Sequence, residues 1–149
     1  MFAPKKILVP TDFSEHSDLA LANAINVART YSSKVYVLHV VDEFLQQCAM
    51  DYCLDAEVIE QISKGATESS HVKIKKQVDR ALGSNGVAMD LDVKVGDPYE
   101  EIMKFQKRRD IDLIVIALHG KRSILKNLIG SIADRLIRLA PCSLLIVKE

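Results

Sequence analysis

Five short aliphatic, β-branched runs alternate with segments of helical periodicity along this chain. The runs are residues 6–9 (Lys-Ile-Leu-Val), 34–41 (Lys-Val-Tyr-Val-Leu-His-Val-Val), 88–95, 113–117 (Leu-Ile-Val-Ile-Ala) and 143–147 (Ser-Leu-Leu-Ile-Val). In the third, Met89, Leu91, Val93 and Val95 alternate with Asp90, Asp92 and Lys94. Period two marks a strand with one exposed face, so this strand is expected at a sheet edge. The fourth is continuously apolar, as in a strand covered on both faces.

Four helices fit between the strands. Asp12 and Glu15 have capping-box spacing, and Ala20, Ala24, Val27, Ala28 and Tyr31 follow on one apolar face. A second helix is expected within residues 55–82, carrying Val58, Ile62, Val72, Val78 and Leu82; Gly65 and Ser69-Ser70 predict a break or a loosened middle. Residues 83–86 (Gly-Ser-Asn-Gly) end it. The third opens on Asp97-Pro98-Tyr99-Glu100: a cap, a proline at the first helical position and a glutamate at the reciprocal position. The fourth starts after Ser131, buries Ile132, Leu136 and Leu139, and stops at Pro141.

Strands alternating with helices imply parallel pairs joined by right-handed crossovers, hence an α/β fold with a doubly wound five-stranded sheet and helices on both faces. Such sheets bind ligands beyond the C-terminal strand ends, where the winding reverses. In the order 3-2-1-4-5, strands one and four are neighbours at that point. Two loops then meet: Pro10-Thr11-Asp12 after strand one, and Ala117-Leu118-His119-Gly120 with Gly130-Ser131 after strand four.

The second loop joins a buried strand to a helix start. Glycines let backbone N–H groups approach an anion, and a helix N-terminus adds unpaired N–H groups and a positive dipole end. Lys121, Arg122 and Lys126 supply charge beside it. The spacing matches neither the P-loop nor the dinucleotide fingerprint. No nucleophile, base and orienting acid can be assigned around His119, and His39 reads as a satisfied core histidine.

The 149 residues suit one domain, residues 1–149, and are 48% hydrophobic and 27% charged, a globular composition. Twenty basic residues balance twenty acidic ones, which speaks against nucleic acid or an anionic membrane as partner. The cluster Lys107-Arg108-Arg109 fits a solvated helix C-terminus. No apolar run approaches the roughly 20 residues of a membrane span, and the N-terminal residues lack a signal-peptide pattern. A cytoplasmic location is expected. Cys48, Cys53 and Cys142 are an odd number and read as reduced thiols; no metal site is expected from them.

The chain resembles the universal stress proteins of the UspA type over essentially its whole length. The segments that carry the resemblance are residues 6–14 (Lys-Ile-Leu-Val-Pro-Thr-Asp-Phe-Ser), 38–42 (Leu-His-Val-Val-Asp), 95–102 (Val-Gly-Asp-Pro-Tyr-Glu-Glu-Ile), 111–116, the glycine loop, and 141–148 (Pro-Cys-Ser-Leu-Leu-Ile-Val-Lys), in this order and spacing. The fold implied is that of the adenine nucleotide alpha hydrolase-like sheets. ATP-binding members carry Gly, two residues, Gly, nine residues, then Gly with Ser or Thr. Gly120, Gly130 and Ser131 match; Ala117 stands in place of the first glycine. If that position needed a positive φ, alanine would cost about 1–2 kcal/mol. Because Ala117 completes the run Leu-Ile-Val-Ile-Ala, an ordinary strand end is expected there.

The resemblance implies roles residue by residue. Pro10, Thr11 and Asp12 line the adenosine side, with Asp12 facing the ribose, and the Val40 backbone meets the adenine edge. Gly120 lets the backbone close on phosphate, with Lys121 and Arg122 alongside, and Ala117 and His119 belong to the same binding set. Gly130, Ser131 and the Ile132 N–H take the β- and γ-phosphates. Magnesium or manganese would be held through the phosphates rather than by a protein cage. The resemblance also implies a homodimer through the strand Ser143 to Val147, whose apolar, uncharged edge favours pairing. No catalytic residues are expected: the chain shows no candidate general base and no Walker lysine, so hydrolysis would be weak or partner-dependent. The function implied is a nucleotide-dependent stress or regulatory module with an unidentified protein partner. Two alternatives stand beside it: a family member acting through protein contacts without ATP, favoured by Ala117, and an adenylate-forming enzyme, whose HIGH and SGGxDS signatures are absent. Residues 43–70 form the least readable segment.

Overall fold

A computed structural model of the chain describes residues 1–84, 86–121 and 129–148. Its centre is a five-stranded parallel sheet of β1 (Lys6–Pro10), β2 (Lys34–Asp42), β3 (Met89–Gly96), β4 (Leu113–Ala117) and β5 (Ser143–Val147), in the order β3-β2-β1-β4-β5. The helices are α1 (Glu15–Tyr31), α2 (Phe44–Asp51), α3 (Ala56–Leu82), α4 (Pro98–Arg109) and α5 (Ser131–Leu139). This is the doubly wound arrangement that the alternation of elements predicts.

Two apolar layers sandwich the sheet. On one face Ile7, Val9, Val35, Val37 and Val115 pack against Leu21, Ile25 and Ala28 of α1 and Ile74 and Val78 of α3. On the other, Leu8, Tyr36, Leu38, Ile114 and Ile116 pack against Ile102 and Phe105 of α4 and Leu136 of α5. Successive residues of β1 and β4 thus feed opposite layers, which is why β4 and residues 7–9 of β1 are apolar at every position. Their C-terminal ends meet at the centre of the sheet, so the loops after them share one rim.

Five local expectations are corrected, one of them at the end of α5, where Leu139 is exposed while Leu136 is buried. The N-cap of α1 is Ser14, whose hydroxyl accepts the Ser17 N–H; Asp12 sits two residues earlier and caps nothing. Gly65 and Ser69-Ser70 do not break α3, which runs unbroken because Ile74, Val78, Ser70 and Gln77 anchor its C-terminal half in the core. Residues 44–51 form a helix that no cap or turn signal announces, since Glu43 makes no side-chain cap bond. In β3, at the sheet edge as expected, Leu91 is exposed despite its apolar phase. At α4, by contrast, Asp97 accepts the Glu100 N–H at 2.9 Å with Pro98 leading the helix, as its sequence predicts.

Candidate functional site: the rim between β1 and β4

Asp12 leaves the end of β1 and reaches across to the loop after β4. Its Oδ2 accepts the Lys121 backbone N–H at 2.6 Å, and its Oδ1 accepts the Ser14 N–H at 3.0 Å and the Ser14 hydroxyl. Burial alone would raise this carboxyl, but the hydrogen bonds from Ser14 and Lys121 outweigh it and hold the group below its ordinary value. Asp12 is therefore a charged strap between two loops more than a hundred residues apart in sequence.

Gly120 leaves room for that strap. A Cβ built on it would lie 3.0 Å from Asp12 Oδ2. Gly130 closes the loop from its far side: its N–H donates to the Leu118 carbonyl at 2.9 Å, and a Cβ there would meet that carbonyl oxygen at 3.3 Å and the Gly120 nitrogen at 3.6 Å. Gly120 thus stands against the Asp12 side chain and Gly130 against backbone, and neither has the left-handed φ that among glycines is found at Gly83 and Gly96 in the described residues. Gly130 is also the N-cap of α5 and brings no side chain to the helix start, so the cap is not Ser131, which is the exposed first helical residue. Ile132, half-buried, packs toward the α4–α5 layer.

Ala117 has ordinary strand backbone. It pairs in register with Val147, is buried, and is not among the described non-glycine residues with positive φ, which are Phe13, Ser32, Cys53 and Asp110. The position asks for no glycine conformation in this chain, so the penalty of about 1–2 kcal/mol for a left-handed alanine does not arise.

The remaining expected residues divide. Pro10 is buried and pairs with Leu38. The Thr11 hydroxyl is engaged away from the glycine loop, donating to Gln77 Oε1 at 2.8 Å and lying 3.0 Å from Ser17 Oγ. Gln77 Nε2 in turn donates to Asp18 Oδ1 at 2.6 Å. This buried network ties the end of β1 to α1 and α3. Val40 stands on β2 opposite Lys94, half-buried against the α4–α5 layer. The His119 ring lies 5.9 Å from the His16 ring, and Lys121 is exposed. Arg122 and Lys126 lie outside the described residues, as does Asn85 of the turn after α3.

Of two neighbours of the site, Phe13 carries no advance signal and His39 is the satisfied histidine that its place in β2 predicts. Phe13 takes φ 64°, a left-handed conformation that costs a bulky residue of order 1–3 kcal/mol. The strain sits beside Asp12 and sets the direction in which the chain turns into α1. The Phe13 ring stacks on His39 with centroids 4.2 Å apart. His39 Nδ1 lies 2.8 Å from the Thr11 carbonyl, which can only accept, so Nδ1 carries the proton. Burial lowers the His39 pKa, with the Thr11 carbonyl and the Asp12 charge opposing. Among the described residues there is no group of three or more metal-capable side chains, the three cysteines are free, and no helix is long and apolar enough to cross a membrane.

Comparison with known proteins places these features in a group. The model of the universal stress protein family matches residues 4–148. A universal stress protein of Methanocaldococcus jannaschii, MJ0531, is 34% identical over 97% of this chain and 82% of its own length. A second from that organism, MJ0577, is 28% identical over 97% of this chain and 95% of its own. The solved MJ0577 structure superposes with a TM-score of 0.84 over 99% of this chain and 98% of that one. A universal stress protein solved in complex with cAMP shares the fold, with a TM-score of 0.72 at 19% identity over 98% of each chain.

Proposed function

The chain belongs to the universal stress protein family, and we propose that it is an ATP-binding member, a regulatory module whose state is set by the nucleotide at the β1–β4 rim. The observation that supports this reading best is the loop after β4. Two glycines stand there at close approach, Gly120 to the Asp12 carboxylate and Gly130 to the Leu118 carbonyl, the loop is braced by that charged carboxylate, and the helix start beyond it has no side-chain cap. Phosphate oxygens suit such a place because the free backbone N–H groups of a helix start point at them and the positive end of the helix dipole favours negative charge.

In this reading Asp12 faces the ribose and the Val40 backbone meets the adenine edge. Pro10, Thr11, Ala117 and His119 form the walls through their backbone, since the Thr11 hydroxyl is already engaged with Gln77. Gly120 lets the loop close on the phosphates with Lys121 and Arg122 alongside, and Gly130, Ser131 and the Ile132 N–H receive the terminal phosphates. When bound, magnesium or manganese supplies charge neutralisation between the phosphates. The role assigned is binding, not turnover.

We also propose a homodimer through β5. Its edge lies at the end of the sheet, and its sequence Ser-Leu-Leu-Ile-Val carries no charge to discourage pairing. Titration of the full chain with magnesium and ATP tests the nucleotide reading; a chain that takes up none works through protein contacts alone.

A further inference from the structure

The long helix α3 has a second apolar stripe that the sheet does not use. Its buried face carries Ser70, Ile74, Gln77 and Val78. The opposite face carries Val58, Ile62, Gly65, Ser69 and Val72, all exposed, with Val58 at 41%, Ile62 at 44% and Val72 at 55%. These positions are spaced by four, three, four and three residues, the heptad spacing of a helix–helix seam rather than that of a solvated face. Gly65 and Ser69 at its middle allow two backbones to approach closely. The residues leading into the helix, Met50, Tyr52 and Leu54, are also exposed.

Charge indicates what fits the seam. The N-terminal half of α3 carries Glu57, Glu60 and Glu68 against Lys64; the C-terminal half carries Lys73, Lys75, Lys76 and Arg80 against Asp79. The helix dipole accounts for charges in the first and last turns only. Lys73, Lys75 and Lys76 stand before the last turn; Lys73 Nζ lies 5.9 Å from the Phe13 ring centroid, Lys75 pairs with Asp79 at 3.2 Å and Arg80 with Asp18 at 4.0 Å, and both ion pairs are largely exposed and open to a further charge. A helix that is acidic in one half and basic in the other is complementary to itself when reversed.

We propose that this seam docks the α3 helix of a second copy of the chain, laid antiparallel, acidic half against basic half. The contact is two-fold, as self-complementary surfaces require. It is separate from the β5 edge: α3 packs over β2 and β3, at the opposite end of the sheet from β5. A chain using both contacts assembles beyond a dimer.

Sedimentation of the full-length chain in the Leu145→Lys background tests this apart from the β5 dimer. The seam account expects concentration-dependent self-association there, weakened by high salt and reduced about tenfold or more by the pair Ile62→Glu and Val72→Glu, a loss of about 1.4 kcal/mol. Both positions are exposed, and unchanged circular dichroism verifies folding. A second measurement reads the antiparallel sense. A chain with Glu57→Lys and Glu68→Lys, and another with Lys73→Glu and Lys76→Glu, each lose self-association but associate with one another when mixed. Masses that ignore Ile62→Glu and Val72→Glu, whether monomeric throughout or equally associated, overturn the proposal and leave the stripe to solvent or to a different protein.

Discussion

Asp12 spends both oxygens of one carboxylate on backbone N–H groups from different loops, and the chain around it is arranged to permit this. Gly120 has no side chain where the carboxylate sits, and Phe13 accepts a left-handed φ so that α1 can start at Ser14. Gly120→Ala presses a methyl group on the carboxylate and strains its bond to the Lys121 N–H. The expected outcome is a loss of about 1 kcal/mol in unfolding free energy, as for one exchanged hydrogen bond, and weaker nucleotide binding; chemical denaturation and an ATP titration check it. Because Asp12 is held below its ordinary value of 3.8, the stability it contributes is fully present above that pH and lost as pH falls below it. His39 acts at higher pH. Its folded pKa lies below 6.5, so on acidification the unfolded chain takes up the proton first, and stability is lost as pH falls through 6.5 toward the folded value. The melting temperature of the chain is expected to drop between about pH 7 and about pH 5, and a His39→Gln variant is expected to show a smaller drop. An equal drop in both would assign the pH dependence elsewhere.

At the scale of elements, strands and caps were legible where the signal was local. The alternation of runs reports the sheet, and Asp97-Pro98 reports the start of α4 through its own cap bond. The glycines after β4 are marked in the sequence by their place between a buried strand and a helix start, and in the fold both stand at close approach. Features set by distant partners were not. The Thr11 hydroxyl reads as a pocket group until Gln77, sixty-six positions on, is seen to accept from it. Asp12 reads as an N-cap until Ser14 takes that role. Gly65 argues for a break in α3, yet its cost of about 1 kcal/mol is small against the buried contacts of Ile74 and Val78. The free edge of β5 carries a prediction of its own. Its inner neighbours are paired with β4, while Leu145 and Val147 are only partly buried. Leu145→Lys places a charge in that edge and is expected to shift sedimentation to lower mass without loss of circular dichroism; an unchanged mass would remove the β5 dimer.

For the molecule as a whole, the two apolar layers position one rim, and the rim gathers Asp12, Gly120, Lys121, Leu118 and Gly130 from three parts of the chain. Ala117 stays in the sheet with ordinary backbone, so this position asks for no glycine conformation here. The central claim is that this loop binds ATP without it. The most direct test is a calorimetric titration of the full chain with ATP and magnesium, run beside Gly130→Val, whose side chain would press on the Leu118 carbonyl. The account predicts one micromolar site per chain, weakened about tenfold or more in Gly130→Val. No heat from the unaltered chain, or equal affinity in both, would contradict it.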